Sequence, residues 1–279
     1  MNLHQKYKPL WESEDWNIAI VIGGRASGKS FAISDFVENL SFERNQIILY
    51  ARYTMVSSGA STIPEFLEKV EMEGHEDYFT VNKTEITNLY SDSKILFKGI
   101  KAGSKQQSAN LKSIKGLSTL IIEEAEELTD EDEFDIIDKS IRSKLVKNRI
   151  ILILNPTTKE HWIYRRFFED AGIDENFAGV KNRVLYINTD YRDNKSNLSE
   201  RFLFDAEQMK RRRPEKYKHI LLGKWLQVAE GVIFNNWNIG EFQEHSPTVY
   251  GQDYGFSIDP TTLVATSIDS SKKIIYLKN

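Results

Sequence analysis

The chain has 279 residues, 40% hydrophobic and 28% charged, which excludes a disordered chain and leaves room for one large or two modest domains with a buried core. Thirty-seven Lys and Arg against 41 Asp and Glu give a formal net charge of -4, so any nucleic-acid contact must come from a local basic surface. Cysteine is absent, which removes disulfide frameworks, thiolate zinc sites and cysteine nucleophiles.

Short apolar runs alternate with helical spacing through the first part, the pattern of an α/β domain around a mostly parallel sheet. Strands are predicted at Ile18 to Ile22, Gln46 to Ala51, Lys94 to Gly99, Thr119 to Ile122 and Arg149 to Leu154. Helices are predicted at Lys29 to Leu40, at Ile63 to Glu71, and from Thr129 to near Leu145. These make a nucleotide-binding core over 1–158. From Lys159 the texture changes: WIYRRFFED reads as an aromatic helix, RVLYINT as a strand, and Ser199 to Arg213 as a helix stopped by Pro214. This suggests a satellite subdomain and linker over 159–246. The last stretch, 247–279, reads as three strands joined by tight turns, too few for a covered core and so expected to be part of a larger domain. The apolar runs are far shorter than the roughly 20 residues that cross a bilayer, and the start MNLHQKYKP lacks a secretory pattern, so a cytoplasmic protein without membrane contact is expected.

Gly23-Gly24-Arg25-Ala26-Ser27-Gly28-Lys29-Ser30 fits G-x-x-x-x-G-K-[ST] between a predicted strand and a predicted helix. In such a phosphate loop the glycines let the backbone wrap phosphates, the lysine reaches the outer ones and the hydroxyl can hold Mg²⁺, so ATP and Mg²⁺ are the expected cofactors. A neighbouring strand ending in a carboxylate is also needed, and Thr119 to Ile122 leads into Glu123 and Glu124. Glu123 is the candidate for Mg²⁺ and Glu124 for activating water. An acidic run follows (Glu126, Glu127, Asp130 and onward) and reads as a solvated face. Arg25 either neutralises charge on the γ-phosphate or pairs with that acidic run. Asn155 and Thr157, just past a strand's carboxyl end, are candidates for sensing the γ-phosphate, or simply encode a turn with Pro156.

In this order, GGRASGKS, LIIEEAEEL, ILNPTTKEHWIYRRFF, TDYRDNKSNL, PEKYKHILLGKWLQVAEGVIF and GQDYGFSIDPTTL resemble the large terminase subunit of tailed bacteriophages across nearly the whole chain. The resemblance implies a motor ATPase that threads double-stranded DNA into a procapsid, followed by an RNase H-like nuclease using Mg²⁺ or Mn²⁺. It assigns Lys29 and Ser30 to phosphate and Mg²⁺, Arg25 to the γ-phosphate, Glu123 to the metal, Glu124 to water activation, and Asn155 to Thr157 to coupling. It also implies a small terminase subunit and the procapsid portal as partners, a homo-oligomeric ring while packaging with a monomer in solution as the other state, and action in the cytoplasm of the infected bacterial host.

One departure is large: a two-metal nuclease needs several carboxylates, and the stretch 247–279 offers Asp253 on its opening strand, with Asp259 more simply a turn former before Pro260. Cleavage of DNA by this chain alone is therefore not expected. For DNA, Lys210, Arg211, Arg212 and Arg213 with Lys216, Lys218 and Lys224 form the densest basic cluster, which serves equally as a solvated or inter-subunit face. Lys112 and Lys115 could reach a neighbouring subunit's nucleotide or be plain loop lysines. Gln5 and Tyr7 are candidates to hold adenine, and Trp11 reads as an N-terminal core anchor. The rival readings are another P-loop DNA translocase or helicase, and an ATP-binding switch without a motor function. A small-molecule kinase fits poorly with the paired glutamates.

Overall fold

The computed structural model describes residues 3–54, 63–101, 114–227, 238–245, 247–254 and 261–278. The chain divides into two compact units, Met1–Glu230 and Gly231–Asn279.

The first unit is built on a nine-stranded sheet among the described residues. Its strands are β1 Ile18–Gly23, β2 Ile47–Thr54, β3 Phe79–Val81, β4 Glu85–Asn88, β5 Lys94–Lys101, β6 Thr119–Glu123, β7 Arg149–Leu154, β8 Gly179–Lys181 and β9 Val184–Thr189, in the order β3-β4-β5-β2-β6-β7-β1-β9-β8. From β5 to β9 every neighbouring pair is parallel, and antiparallel β3, β4 and β8 finish the edges. The central strands are apolar on both faces because helices cover both. Ala19, Val21, Ile121, Ile151 and Ile153 face one core with Leu10 of α1 (Pro9–Glu12), Ile33, Phe36 and Val37 of α2 (Lys29–Ser41) and Phe66 and Val70 of α3 (Ile63–Glu73). Their alternates Ile20, Ile22, Leu120, Ile122, Leu152 and Leu154 face the other, with Phe134 and Ile137 of α4 (Glu131–Asp138) and Trp162, Ile163, Phe167 and Phe168. The period of two along each strand sorts one apolar run into two cores.

Three expectations are corrected. The RVLYINT strand, expected in a satellite piece, is β9 and pairs in parallel with β1 from Ile18↔Val184 to Gly23↔Thr189. Leu185, Tyr186 and Ile187 are buried, as a strand covered on both faces requires. The helix expected to reach Leu145 ends at Asp138. Its backbone is then used in tight turns, Ser140 N–H to Ile137 O and Ile141 N–H to Asp138 O, before Arg142 N–H pairs with Leu117 O. The aromatic helix is a single α turn, α5 (Trp162–Tyr164), running into π-helical backbone at Arg165–Glu169. The wider turn, closed by bonds such as Asp170 N–H to Arg165 O (2.8 Å), lets adjacent Phe167 and Phe168 both bury.

A helical hairpin closes the unit. α6 (Glu200–Arg212) is capped by Ser199, whose Oγ accepts from Phe202 N–H, and α7 (Pro214–Leu222) opens on Pro214 and ends at Gly223 in the left-handed region, φ 64°. The second unit is a three-stranded antiparallel sheet, β10 Val249–Asp253, β11 Thr262–Asp269 and β12 Ile274–Lys278, as the strand spacing indicated. Asp269 closes its last turn by accepting from Ser271 N–H, Ser271 Oγ and Lys272 N–H, bonds that hold its carboxyl down at about 2.

Candidate nucleotide site

The loop 23–30 leaves the carboxyl end of β1 and turns into α2 through two left-handed residues, Ala26 (φ 62°) and Gly28 (φ 85°). Gly28 is the residue before α2 and has no side chain to cap it, so the first-turn N–H groups remain available to an anion. The leading glycines are demanded by packing as well. A Cβ on Gly23 would lie 2.6 Å from Thr189 O of β9, and one on Gly24 would lie 2.1 Å from Leu221 O at the end of α7. Arg25 N–H donates to Ile220 O (2.8 Å), and Asn194 Nδ2 donates to Ala26 O (3.0 Å).

A cleft of about 300 Å³ opens beside this loop, lined by Arg25, Ala26, Ser27, Gly28, Lys29, Ser30, Phe31, Arg52, Glu123, Glu124, Ile153, Leu154 and Asn155. A larger hollow of about 390 Å³ lies away from it, against Trp11, Trp16 and Arg149, and holds none of the phosphate-binding groups. In the cleft, Lys29 is buried and its ammonium donates to Gly23 O (2.7 Å), Gly24 O (3.1 Å) and Asn155 Oδ1 (3.0 Å). Burial lowers its pKa to about 8, against the opposing pull of Glu126 and Glu123. Ser30 Oγ donates to Glu123 Oε1 at 2.7 Å. Glu123, the last residue of β6, is 4% exposed; Glu124 follows in the left-handed region (φ 55°, ψ 46°), a conformation costing about 1 kcal/mol or more for a residue with a Cβ. That turn separates two adjacent carboxylates into different surroundings: Glu123 beside Ser30, and Glu124 on the cleft wall with its pKa raised by desolvation.

Arg52, which the sequence reading passed over, joins them. It sits near the carboxyl end of β2, with Nε 2.8 Å from Glu123 Oε2 and Nη2 3.1 Å from Glu124 Oε1. The rule that singled out Asn155, polar groups at the carboxyl ends of parallel strands, would also have found it. Glu126 was grouped with the acidic run, yet its Oε1 accepts from Asn155 Nδ2 at 3.1 Å.

The other candidates are placed as follows. Arg25 is exposed on the cleft rim. Asn155 is in the cleft; Thr157 is outside it, its carbonyl accepting from Leu226 N–H (2.8 Å). Tyr7 is corrected: it is 2% exposed, its hydroxyl donating to Ser27 O (3.0 Å) and lying 2.9 Å from Thr189 Oγ1, and burial pushes the phenol up. Its ring braces the loop from inside and offers no face to a base. Gln5 is exposed at the start of the same helical turn, Gln5–Tyr7, and Trp11, half-exposed, packs edge-on against Phe36. Arg211, Arg212 and Arg213 are exposed where α6 meets α7, with Lys210 beside them; Lys218 pairs with Glu215 (2.8 Å) and Lys224 with Asn176. Lys115 is exposed ahead of β6, while Lys112 and Asp259 lie outside the described residues. Asp253 ends β10 and is exposed. Among the described residues no helix is long and apolar enough to cross a membrane, and no group of three or more His, Asp or Glu is gathered as a metal cage.

Loop, acidic strand end and sheet order together define a P-loop nucleotide-binding fold. Residues 15–224 match the family described as phage terminase large subunit, and the chain belongs to that family. It is 27% identical over 278 residues to the terminase large subunit of Bacillus phage SPP1, covering 92% of this chain and 62% of that protein's length. The large terminase of a thermophilic bacteriophage, solved in complex with ADP, shares the fold with a TM-score of 0.62 at 18% identity, over 99% of this chain and 69% of that one. The large terminase ATPase domain of Thermus phage P74-26 does so with a TM-score of 0.58 at 13% identity, over 81% of this chain and 94% of that one.

Proposed function

We propose that the chain is the ATP-hydrolysing part of a motor that drives double-stranded viral DNA into a procapsid. The observation that carries the ATP-hydrolysing part of this reading is the 2.7 Å contact between Ser30 Oγ and Glu123 Oε1 in the cleft that also holds Lys29, and membership of the terminase family supports the motor. A hydroxyl and a carboxylate in contact form an all-oxygen donor set suited to Mg²⁺, which takes one or two carboxylates and fills its shell with phosphate and water. When bound there, Mg²⁺ would neutralise charge between the outer phosphates. Lys29 binds those phosphates once it leaves its loop carbonyls, and Glu124 takes the proton of an attacking water. Arg25, on the rim, faces the γ-phosphate. Arg52, paired with both glutamates, holds Glu123 and Glu124 in register with each other.

The basic end of the α6–α7 hairpin is the proposed DNA contact, and Lys112 and Lys115 are proposed to act on the nucleotide of a neighbouring copy in a ring. A small terminase subunit and the portal are the proposed partners, and the infected host's cytoplasm the place of action. The unit after 230 is proposed as part of an RNase H-like nuclease, with Asp253 one of its ligands for Mg²⁺ or Mn²⁺. The P74-26 relative is described as an ATPase domain and the thermophilic-phage relative as an ADP complex, which supports the ATPase reading. The test is multiple-turnover phosphate release by the purified chain with and without duplex DNA. Lys29→Ala is expected to abolish it, and Glu124→Gln to keep nucleotide binding while turnover falls by about 10²–10⁴. Wild-type turnover in both variants refutes the site.

A further inference from the structure

We infer that Glu126 is a positioning residue, a latch that competes with the γ-phosphate for the side-chain amide of Asn155; this rests on the nucleotide reading above. Asn155 stands between two partners. Its Oδ1 accepts from Lys29 Nζ (3.0 Å) and its Nδ2 donates to Glu126 Oε1 (3.1 Å). A carboxylate can only accept, so Glu126 fixes which end of the amide points at it, and the carbonyl end must point at the ammonium. A γ-phosphate can also only accept, and it draws Lys29 towards itself. Asn155 can then serve the phosphate only through Nδ2, the atom Glu126 holds. Phosphate and Glu126 therefore want the same donor, and satisfying the phosphate turns the amide away from Glu126.

The surroundings of Glu126 make the loss of that donor costly. Among the described residues its other oxygen, Oε2, is buried with no hydrogen-bond partner, and Asn155 is the side-chain donor to this carboxylate. The charged and titratable groups around it are Lys29 from the loop, whose ammonium attracts it, and His161, whose Nε2 meets Glu126 O at 3.1 Å. Desolvation raises the Glu126 pKa, against the lowering pull of the backbone N–H groups of Glu126 and Asn155, the Asn155 side-chain amide and the Lys29 charge. Glu126 is not among the residues lining the cleft, while Asn155 is, so its proposed action on the nucleotide runs through Asn155.

The experiment is equilibrium binding of ATP-γ-S and of ADP by calorimetry to the full chain, comparing wild type, Glu126→Gln, Glu126→Ala, Asn155→Ala and the double variant Glu126→Gln/Asn155→Ala. Weakening the latch is expected to raise affinity for ATP-γ-S over ADP by about tenfold, the worth of one hydrogen bond to a charged group, more in Glu126→Ala than in Glu126→Gln. A merely structural role lowers both affinities together. In the Asn155→Ala background Glu126→Gln is expected to leave the ratio unchanged. An unchanged ratio in both single variants overturns the inference, and so does an equal rise without Asn155, which marks plain electrostatic relief. Failure of the wild type to bind either nucleotide overturns the nucleotide reading and this inference with it.

Discussion

Gly24→Ala tests whether the loop is held by its neighbours as the structure describes. The added Cβ would lie 2.1 Å from Leu221 O, 2.3 Å from its carbonyl carbon and 2.8 Å from its Cα, all backbone atoms that cannot rotate aside. Relief needs a separation of more than about 1 Å between the loop and the end of α7, because ordinary carbon contacts begin near 3.5 Å. Neither side yields easily. Arg25 N–H is bonded to Ile220 O at 2.8 Å, and Gly223 at the same helix end is packed as closely, its own Cβ meeting Gly24 N at 2.7 Å. Overpacking costs about 1–3 kcal/mol and loss of the Arg25 to Ile220 bond about 1 kcal/mol more, so a loss of roughly 2–4 kcal/mol is expected. Gly28→Ala is the contrast. Its nearest neighbour would be 3.5 Å away and the penalty is conformational, about 1–2 kcal/mol for a Cβ at φ 85°. Urea unfolding of the first unit, followed without nucleotide, should rank Gly24→Ala below Gly28→Ala and both below wild type. A Gly24→Ala midpoint equal to wild type, or above that of Gly28→Ala, refutes the packing argument.

Tyr7→Phe removes a hydroxyl shared by Ser27 O and Thr189 Oγ1 in a buried setting, and should cost about 1–3 kcal/mol in unfolding while keeping the ring; unchanged stability would refute the bracing role of the hydroxyl. The pH dependence of nucleotide affinity follows from Lys29. Burial lowers its pKa to about 8 before nucleotide binds, and phosphate binding requires the ammonium, so below pH 8 the charge is already present and affinity is flat. As pH rises above 8, binding must take up a proton, and affinity should fall by up to about tenfold per pH unit, with heat that depends on the buffer's ionisation enthalpy. Calorimetry at pH 7 and 9 checks this, and equal affinity at the two pH values refutes it. The same shift makes the nucleotide-free protein more stable as pH rises from 8 towards the unfolded value, because there the unfolded chain binds more protons.

What the sequence made legible, and what it hid, follows from how far apart the interacting residues lie. β1, β6 and β7 were legible because each is an unbroken apolar run, which a strand covered on both faces must be, and the loop after β1 was legible because its motif is local. β9 has the same apolar character, but its place beside β1 depends on pairing between residues such as Ile18 and Val184, which no local pattern encodes. Tyr7 shows the limit from another side: an aromatic ahead of a phosphate loop is compatible with a base contact or a brace, and the partners of its hydroxyl decide between them. Glu126 is the sharpest case. In sequence it is one acid in a run that charge patterning assigns to solvent, and nothing in its neighbours separates it from Glu127. The left-handed turn at Glu124 is what separates them, leaving Glu127 exposed and bringing Glu126 within 3.1 Å of an asparagine 29 residues away. That turn depends on a backbone conformation that glutamate disfavours, so the distinction arises only from the folded structure around it.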